Sequence, residues 1–467
     1  MSVNTPAKSR RGLLSNYWME FRHLVNLAAP LLAAQLLVTG TSTVDTIMAG
    51  NYHANDLAGV AIGTSVWMPL YLFISGLLIA TTSMVARFHG AENSKSIIVT
   101  VHQSVWLALV VSIVCMLILF NADVLLAWME VENDFAVITD GYLDAMAYGV
   151  PGAVLFGCLR AFTEGMGRTK PFMISSALAF LTNIPMNYAL IYGKWGFPEL
   201  GGVGCGWATA FSMWLQVFVL GWFVSRESRY DNVALLRGWQ WPDIAKIKDI
   251  ASLGVPIALA VFAEVSIFSM VALLLAPMGA VMVAGHQIAL SASHLLFIFP
   301  LSLSQALTIR VGYYLGRQQQ SRANFVARTG IIASGLMALM SLSMILLFRE
   351  TVVGFYTQDA AVQAVALSLF LWMAIYQFPD HIQIAANASL RAYQDSRIPL
   401  MLILVSYWGI AIPLGYVLAR TDWLLPAQGA QGFWMALVVG LTATGILLGW
   451  RLLTIAARPV SSASSVN

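Results

Sequence analysis

The chain has 467 residues, of which 59% are hydrophobic and only 10% are charged, and its mean hydropathy is +0.75. This composition excludes an ordinary soluble domain and indicates an integral membrane protein. The formal net charge of +3 lies mainly in the segments between apolar runs, so it gives no reason to expect nucleic-acid binding.

The chain begins with a polar, basic segment, residues 1–23, which lacks the short apolar stretch and cleavage site of a signal peptide. Twelve apolar runs follow, each with about the 20 residues that an α-helix needs to cross roughly 30 Å of hydrocarbon. Their approximate cores are 24–48, 60–82, 97–120, 138–160, 172–192, 203–224, 250–276, 283–308, 326–348, 363–388, 398–418 and 432–455. The sequence therefore predicts an all-α integral membrane protein with twelve transmembrane helices.

The positions of Lys and Arg predict the orientation of these helices. If the N-terminus is cytoplasmic, 22 of the 25 basic residues fall on the cytoplasmic side, and only Lys194, Arg349 and Arg420 fall outside. Such an excess of positive charge marks the cytoplasmic face of a membrane protein. We therefore expect a multi-pass protein with both termini in the cytoplasm.

The two halves of the chain resemble each other. A shift of 226 residues aligns 27–90 with 253–316 and gives 15 identities in 64 ungapped pairs, whereas chance at this composition would give about 5. Each half holds six predicted helices, so the two halves share one orientation. We expect two six-helix bundles related by a pseudo-two-fold axis along the membrane normal, an arrangement that suits alternating access.

This duplication divides the chain into predicted regions. Residues 1–23 form a cytoplasmic N-terminus, 24–224 an N-terminal six-helix lobe and 250–455 a C-terminal six-helix lobe. Residues 225–249, the longest and most charged connection, form a cytoplasmic linker, and 456–467 form a cytoplasmic tail.

Apart from Asp140 and Asp144 near the start of the span 138–160, three acidic residues lie inside predicted spans: Asp45, Glu264 and Asp380. A charge at the bilayer centre costs about 2.5–3.5 kcal/mol on translocon scales, so such residues usually face a cavity or a partner and serve a function. Within the predicted spans, Lys and Arg occur only close to the span ends, at Arg160, Arg328 and Arg451. Their charge must then be balanced by a proton, a metal ion or a charged substrate. The alternative is a protonated acid with a purely structural hydrogen bond.

Two groups of side chains are placed to assist these acids. Tyr376 precedes Asp380 by four residues and so lies on the same helix face, where its ring could meet a cation or pack against neighbouring helices. Asn183 and Asn187 form one polar stripe that could meet Asp45 or hydrogen-bond between helices.

His286 and Gln287 form a further polar pair in the second half of the chain. We consider them candidates for the lining of a substrate cavity. The alternative for His286 is a hydrogen-bonded residue within the helix bundle, which is the commoner role for a single buried histidine.

Several stretches resemble the multidrug and toxic compound extrusion (MATE) family, in its bacterial NorM-like branch. They are LAAPLLAAQLL at 27–37, STVDTIMAG at 42–50, DLAGVAIG at 56–63 and TEGMGRTKP at 163–171. The resemblance covers roughly residues 20–455, and the acidic positions show no departure from the family pattern.

The resemblance implies export of organic cations, such as dyes and fluoroquinolone-type drugs, driven by inward Na⁺ or H⁺ across the bacterial inner membrane. It implies a cation or proton site in each half of the chain, Na⁺ at Glu264 and Asp380, no cofactor beyond the coupling ion, and a monomer in the lipid bilayer. The residues implied at these two sites are Asp45, Asn183, Asn187 and Thr209 in the first half, and Glu264, Tyr376 and Asp380 in the second.

Three other functions are alternatives to this one. A primary pump would need a nucleotide-binding motif such as GxxxxGK[ST], which is absent from the sequence. An intramembrane enzyme could use Glu264 and Asp380 as an acid pair, although no HExxH motif occurs. A lipid or oligosaccharide flippase would also be a duplicated helical carrier, but one that handles anionic lipid-linked sugars should place Lys or Arg in its cavity.

Overall fold

The computed structural model describes residues 10–128, 133–226, 233, 235 and 238–458. Most of the first ten residues, part of the predicted linker and most of the predicted tail lie outside the described residues. The described part is all-α and contains twelve helical segments that are long and apolar enough to cross a membrane. This result confirms the predicted fold class and the predicted number of spans.

Fourteen α-helices make up the described part of the chain. They are α1 (Arg10–Tyr52), α2 (Ala54–Gly90), α3 (Ser94–Phe120), α4 (Ala122–Trp128), α5 (Asn133–Gly165), α6 (Lys170–Tyr192), α7 (Gly202–Arg226), α8 (Ile244–Leu275), α9 (Ala280–Gly316), α10 (Gln320–Tyr356), α11 (Ala360–Ala392), α12 (Arg397–Leu404), α13 (Ile412–Arg420) and α14 (Ala430–Ala456). A 3₁₀ turn, Ala276–Met278, follows α8, and a π-helix, Val405–Ala411, joins α12 to α13 within one span.

Several helices extend well past the apolar cores that predicted them. Helix α2, for example, has 37 residues, because hydropathy marks only the part of a helix that lies in hydrocarbon. Polar side chains stabilise the exposed helix starts by accepting bonds from free backbone N–H groups. Asn93 accepts from Ser96 N at 3.0 Å at the start of α3, and Asp359 accepts from Ala361 N at 2.8 Å at the start of α11.

The chain forms two compact units. The N-terminal unit comprises Pro30–Ser266 and Gln394–Ile403, and the C-terminal unit comprises Met1–Ala29, Ile267–Tyr393 and Leu404–Asn467. The first part of α8 and the described linker residues thus belong to the N-terminal unit. The predicted lobe boundaries at residues 224 and 250 stay a prediction.

In the N-terminal unit, α5 packs against α2, α3 and α7 around a buried apolar cluster. Small residues let α5 and α7 approach closely. A Cβ atom on Gly149 would lie 2.9 Å from Ala210 Cα, and one on Gly206 would lie 2.8 Å from the carbonyl oxygen of Tyr142. Membrane helices depend on such small residues, because lipid provides no hydrophobic driving force between them. This packing fixes α7, the helix that carries Thr209.

The described linker residues lie against α3. His102 Nε2 is 2.7 Å from the carbonyl oxygen of Leu235. The amide group of Gln103 donates to the carbonyl oxygen of Trp241 at 2.9 Å and accepts from the backbone N–H of Asp243 at 2.7 Å. Both α3 side chains are buried. The described linker residues are therefore hydrogen-bonded to α3. The charged sequence of the linker had not predicted this contact.

In the C-terminal unit, the first part of α1 packs against α9 and α10. Arg310 donates two hydrogen bonds to the Glu20 carboxylate, at 2.5 and 3.1 Å, and the ring of Tyr17 lies 4.5 Å from that of Phe325. A bidentate pair of this kind fixes both side chains in one geometry. The start of α1 is therefore held by the C-terminal unit.

Helix α11 lies between α9, α10 and α14 in the same unit. The π-helix packs on α14, where a Cβ atom on Gly440 would lie 2.7 Å from Ala411 Cβ. Single-turn π-helical segments within α-helices often occur at functional sites. Most side chains that line α11 in its second half are buried, so this helix forms the centre of the unit.

Candidate functional site

The structure brings four predicted residues of the first half together around one carboxylate. Asn187 Nδ2 donates to Asp45 Oδ1 at 2.6 Å, and Thr209 Oγ1 donates to Asp45 Oδ2 at 2.9 Å. Asn187 Nδ2 also donates to Asn183 Oδ1 at 2.9 Å. Asp45, Asn183 and Asn187 are buried, and Thr209 is half-buried. The donors to this carboxylate are neutral groups, so they orient its charge without cancelling it.

Three helices supply this site, and local sequence explains each contribution. Asp45 lies in α1, and Asn183 and Asn187 lie one turn apart on α6, so both amides share one helix face. Helix α7 adds Thr209 and, one turn earlier, Cys205, whose Sγ lies 3.6 Å from the backbone oxygen of Asp45. Cys205 is a contact that sequence reasoning missed, and its four-residue spacing from Thr209 was the available signal.

A second buried carboxylate, Asp56, stabilises the start of α7. Its Oδ1 accepts from Gly202 N at 2.5 Å. Gly201 has a φ of +56°, and a Cβ atom there would lie 2.4 Å from the same oxygen, so only glycine fits. Nearby, the Tyr52 hydroxyl donates to Glu199 Oε1 at 2.9 Å. These contacts fix the position at which α7 begins. The sequence had not singled out Asp56, because it lies just before the predicted span 60–82.

The second half places Asp380 and Tyr376 on one face of α11, one helical turn apart. Both are buried, with exposed fractions of 3% and 4%. The ring of Tyr376 packs edge-on against Phe268, with centroids 6.2 Å apart, and against Trp434, with centroids 5.9 Å apart. The structure thus holds the phenol ring firmly on the Asp380 side of α11.

Glu264 lies on α8 and is half-buried. It belongs to the N-terminal unit, whereas Asp380 and Tyr376 belong to the C-terminal unit. Each acid is therefore placed within its own unit, and a shared site for Glu264 and Asp380 stays a prediction. Among the described residues, no group of three or more His, Cys, Asp or Glu side chains could hold a metal ion.

The two remaining candidates, His286 and Gln287, point in different directions from α9. Gln287 is exposed, whereas His286 is fully buried. His286 Nδ1 accepts a hydrogen bond from Trp434 Nε1 at 3.2 Å. His286 thus takes part in helix packing, and a role of the pair in lining a substrate cavity stays a prediction. Sequence reasoning missed Trp434, because nothing in a sequence indicates which aromatic residue faces a given histidine.

Known proteins match this chain over nearly its whole length. The MatE family model matches residues 30–189 and 256–417. The second match begins where the 226-residue shift places residue 30, in agreement with the predicted duplication. The chain is 43% identical over 452 residues to the multidrug resistance protein PmpM of Pseudomonas aeruginosa, covering 96% of this chain and 94% of that protein. It is 42% identical over 449 residues to the multidrug resistance protein MdtK of Yersinia pseudotuberculosis, covering 96% and 98%.

The fold is also similar to a solved structure. The crystal structure of the eukaryotic MATE transporter AtDTX14 superposes with a TM-score of 0.84 at 19% sequence identity, covering 94% of this chain and 96% of that chain. At this low identity the likeness concerns the fold alone. It extends over nearly the full length of both chains.

Proposed function

The chain belongs to the MatE family, and from this premise we propose that it is a secondary active multidrug efflux antiporter. It exports organic cations, such as dyes and fluoroquinolone-type drugs, in exchange for inward Na⁺ or H⁺ by alternating access. The family resemblance seen in the sequence is confirmed. Like the proteins it matches, the chain is a transporter rather than an enzyme.

One observation carries this proposal: the buried Asp45 carboxylate is hydrogen-bonded by a neutral amide and a neutral hydroxyl. Uncompensated charge in a membrane interior is costly. Because fixed neutral donors leave the charge in place, a mobile cation or proton must supply the balance. An antiporter requires a site that alternately binds and releases its driving ion.

The second half supplies the other acids of the transport cycle. Asp380 is buried, and the Tyr376 ring lies one turn before it on the same helix face, where the face of the ring can attract a cation. Glu264 adds a half-buried carboxylate in α8. In a sodium-driven cycle, Na⁺ binds at Glu264 and Asp380, since hard cations prefer oxygen ligands.

The site chemistry favours a cation exporter over a flippase for anionic lipid-linked sugars. Recognition of an anionic headgroup calls for Arg or Lys, whereas the side chains that donate to the Asp45 carboxylate are an amide and a hydroxyl. The chain is a multi-pass membrane protein. We place it in the bacterial inner membrane as a monomer, with both termini in the cytoplasm.

The test is ethidium uptake into everted membrane vesicles under separately imposed Na⁺ and H⁺ gradients. Everted vesicles turn export into uptake, so a gradient with the higher ion concentration in the lumen should drive ethidium inward. We expect one of the two gradients to drive uptake by the wild type and neither to drive uptake by Asp45→Asn. Vesicles without the protein supply the background.

Two results would overturn the proposal. One is ethidium uptake that ignores both gradients while the protein is present in the membrane. The other is gradient-driven uptake that is equal in the wild type and in Asp45→Asn, because the carboxylate would then have no part in coupling.

A further inference from the structure

Four aromatic side chains form a continuous chain of contacts within the C-terminal unit. His286 and Trp434 have ring centroids 6.0 Å apart, Trp434 and Tyr376 5.9 Å apart, and Tyr376 and Phe268 6.2 Å apart. The angles between successive ring planes are 65°, 67° and 73°. Edge-to-face contacts of this kind are directional, because the positive ring edge meets the negative ring face. The chain of rings therefore determines the orientation of Tyr376.

His286 fixes one end of this chain by a polar contact. Its Nδ1 accepts the indole N–H of Trp434 at 3.2 Å, and both side chains are fully buried. A buried indole N–H without an acceptor costs free energy, so this bond selects one rotation of the Trp434 ring. It also requires that Nδ1 carry no proton. The imidazole thus determines which edge of Trp434 faces Tyr376.

The other end of the chain leads to the acid that we assign to the cation site. Tyr376 precedes Asp380 by one helical turn on α11. A cation beside this carboxylate is attracted by the face of the phenol ring, and this attraction depends on the ring's tilt and distance. The two rings that contact Tyr376 are Phe268 on α8 and Trp434 on α14, so they hold it from two neighbouring helices.

We propose that His286, acting through Trp434, is a positioning residue that holds the Tyr376 ring in its cation-binding orientation beside Asp380. This inference rests on the proposed function, because it assumes that Asp380 and Tyr376 bind the driving cation. It gives His286 a role in ion affinity and none in direct contact with the drug.

The test compares two substitutions at His286. In His286→Asn the side-chain oxygen takes the place of Nδ1 and still accepts the indole N–H, whereas His286→Leu removes the acceptor and keeps the bulk. We expect His286→Leu to raise the driving-ion concentration that gives half-maximal ethidium efflux by roughly two- to thirtyfold. We expect His286→Asn to restore most of the wild-type value. The ethidium concentration for half-maximal efflux should change little in either variant.

Controls separate this role from a structural one. His294→Leu makes the same change at an exposed position of the same helix and should behave as wild type. Trp434→Phe keeps an aromatic ring but has no N–H, and it should reproduce the loss of ion affinity even if His286→Leu fails to fold. The inference is overturned if both His286→Leu and Trp434→Phe keep the wild-type ion dependence. It is also overturned if ion and ethidium affinities fall together, or if His286→Asn is as defective as His286→Leu.

Asp380→Asn distinguishes this inference from the proposed function. If Asp380→Asn transports normally, the proposed cation site itself is wrong. If Asp380→Asn abolishes ion-driven efflux while His286→Leu keeps the wild-type ion dependence, the cation site stands and only the positioning role of His286 fails.

Discussion

Asn187 lies 2.6 Å from Asp45 through its amide nitrogen, although the two residues are 142 positions apart in the chain. The same nitrogen also donates to Asn183, so both of its hydrogens are used. An amide donor is neutral and cannot follow a proton on and off the carboxylate. The position of the acid is therefore fixed while its charge is free to change, and a coupling site needs both properties.

Asp45→Asn should abolish ion-driven efflux and leave the protein folded. The amide keeps the volume of the side chain and loses the charge that must attract the driving ion. Ethidium accumulation in a pump-deficient host should rise to the level of cells without the protein, with membrane expression checked by immunoblot. If cells that express Asp45→Asn accumulate no more ethidium than cells with the wild type, Asp45 serves only in packing.

Thr209→Val should slow efflux by about fivefold or more, and Thr209→Ser should keep most of it. Valine has the shape of threonine but removes the donor to Asp45 Oδ2, and a hydrogen bond to a charged group contributes about 1.5–3 kcal/mol. Initial efflux rates at equal expression provide the measurement. Equal rates in the two variants would show that the hydroxyl contributes nothing beyond its volume.

Glu264→Gln and Asp380→Asn should each abolish coupled efflux without unfolding the protein. Each change removes the charge of one proposed cation-binding acid and keeps the volume of its side chain. Size-exclusion profiles and thermal unfolding in detergent check the fold, and ethidium efflux checks the function. Glu350→Gln is a matched control at an exposed position near the end of α10 and should be neutral. Normal efflux in both test variants would make the two acids structural.

Drug and driving ion should compete, so that binding of one lowers the affinity for the other. Three membrane acids supply at most three negative charges, and one cation must largely leave before another is stabilised. A membrane potential of 100 mV supplies about 2.3 kcal/mol per elementary charge. Coupling of about 1–3 kcal/mol, or roughly 5- to 150-fold in affinity, would therefore suffice.

Drug affinity in purified protein, measured across Na⁺ concentration and pH at constant ionic strength, tests this competition. The ion that weakens drug binding is identified as the driving ion. Antiport through shared acids would be refuted by a drug affinity that neither ion changes.

The stability of the C-terminal unit should depend on pH through Tyr393, which follows α11. Its hydroxyl donates to Asn324 Oδ1, and burial raises the pKa of the phenol from 10 to about 12. The folded state thus favours the neutral phenol, so the stabilisation is complete below pH 10 and is lost as the pH rises from 10 to 12. Thermal unfolding between pH 8 and 11 should show a steeper loss above pH 10 in the wild type than in Tyr393→Phe. Parallel curves would exclude this contribution.

The twelve helices could be predicted because a membrane interior requires every backbone polar group to be bonded within its own segment. Long apolar runs of this length therefore form helices, and the twelve observed spans agree with the twelve predicted from hydropathy. The π-helix Val405–Ala411 and the short α4 were not predicted, because local packing and hydrogen bonding determine such irregularities. Helix lengths were underestimated for the related reason that hydropathy does not mark the capped ends outside hydrocarbon.

The Asp45 site was predicted from single residues whose polarity is costly in lipid. Asp45, Asn183 and Asn187 stood out because each needs a partner, and the structure shows that they partner each other. His286 and Trp434 did not stand out as a pair, because aromatic residues are common in membrane helices. Which faces meet is determined by packing across helices, and one sequence contains no signal for it.

The hydrogen bonds between the linker and α3 affect the order in which the protein folds during synthesis. His102 and Gln103 bond to residues between Leu235 and Asp243, so every partner in this contact has been synthesised before α9 begins. Domains generally fold as units during synthesis, with the N-terminal one first. The start of α8 can therefore be anchored on a finished set of helices while the second half is still on the ribosome. Insertion of the remaining helices would then begin from a fixed point, with the orientation of α8 already set.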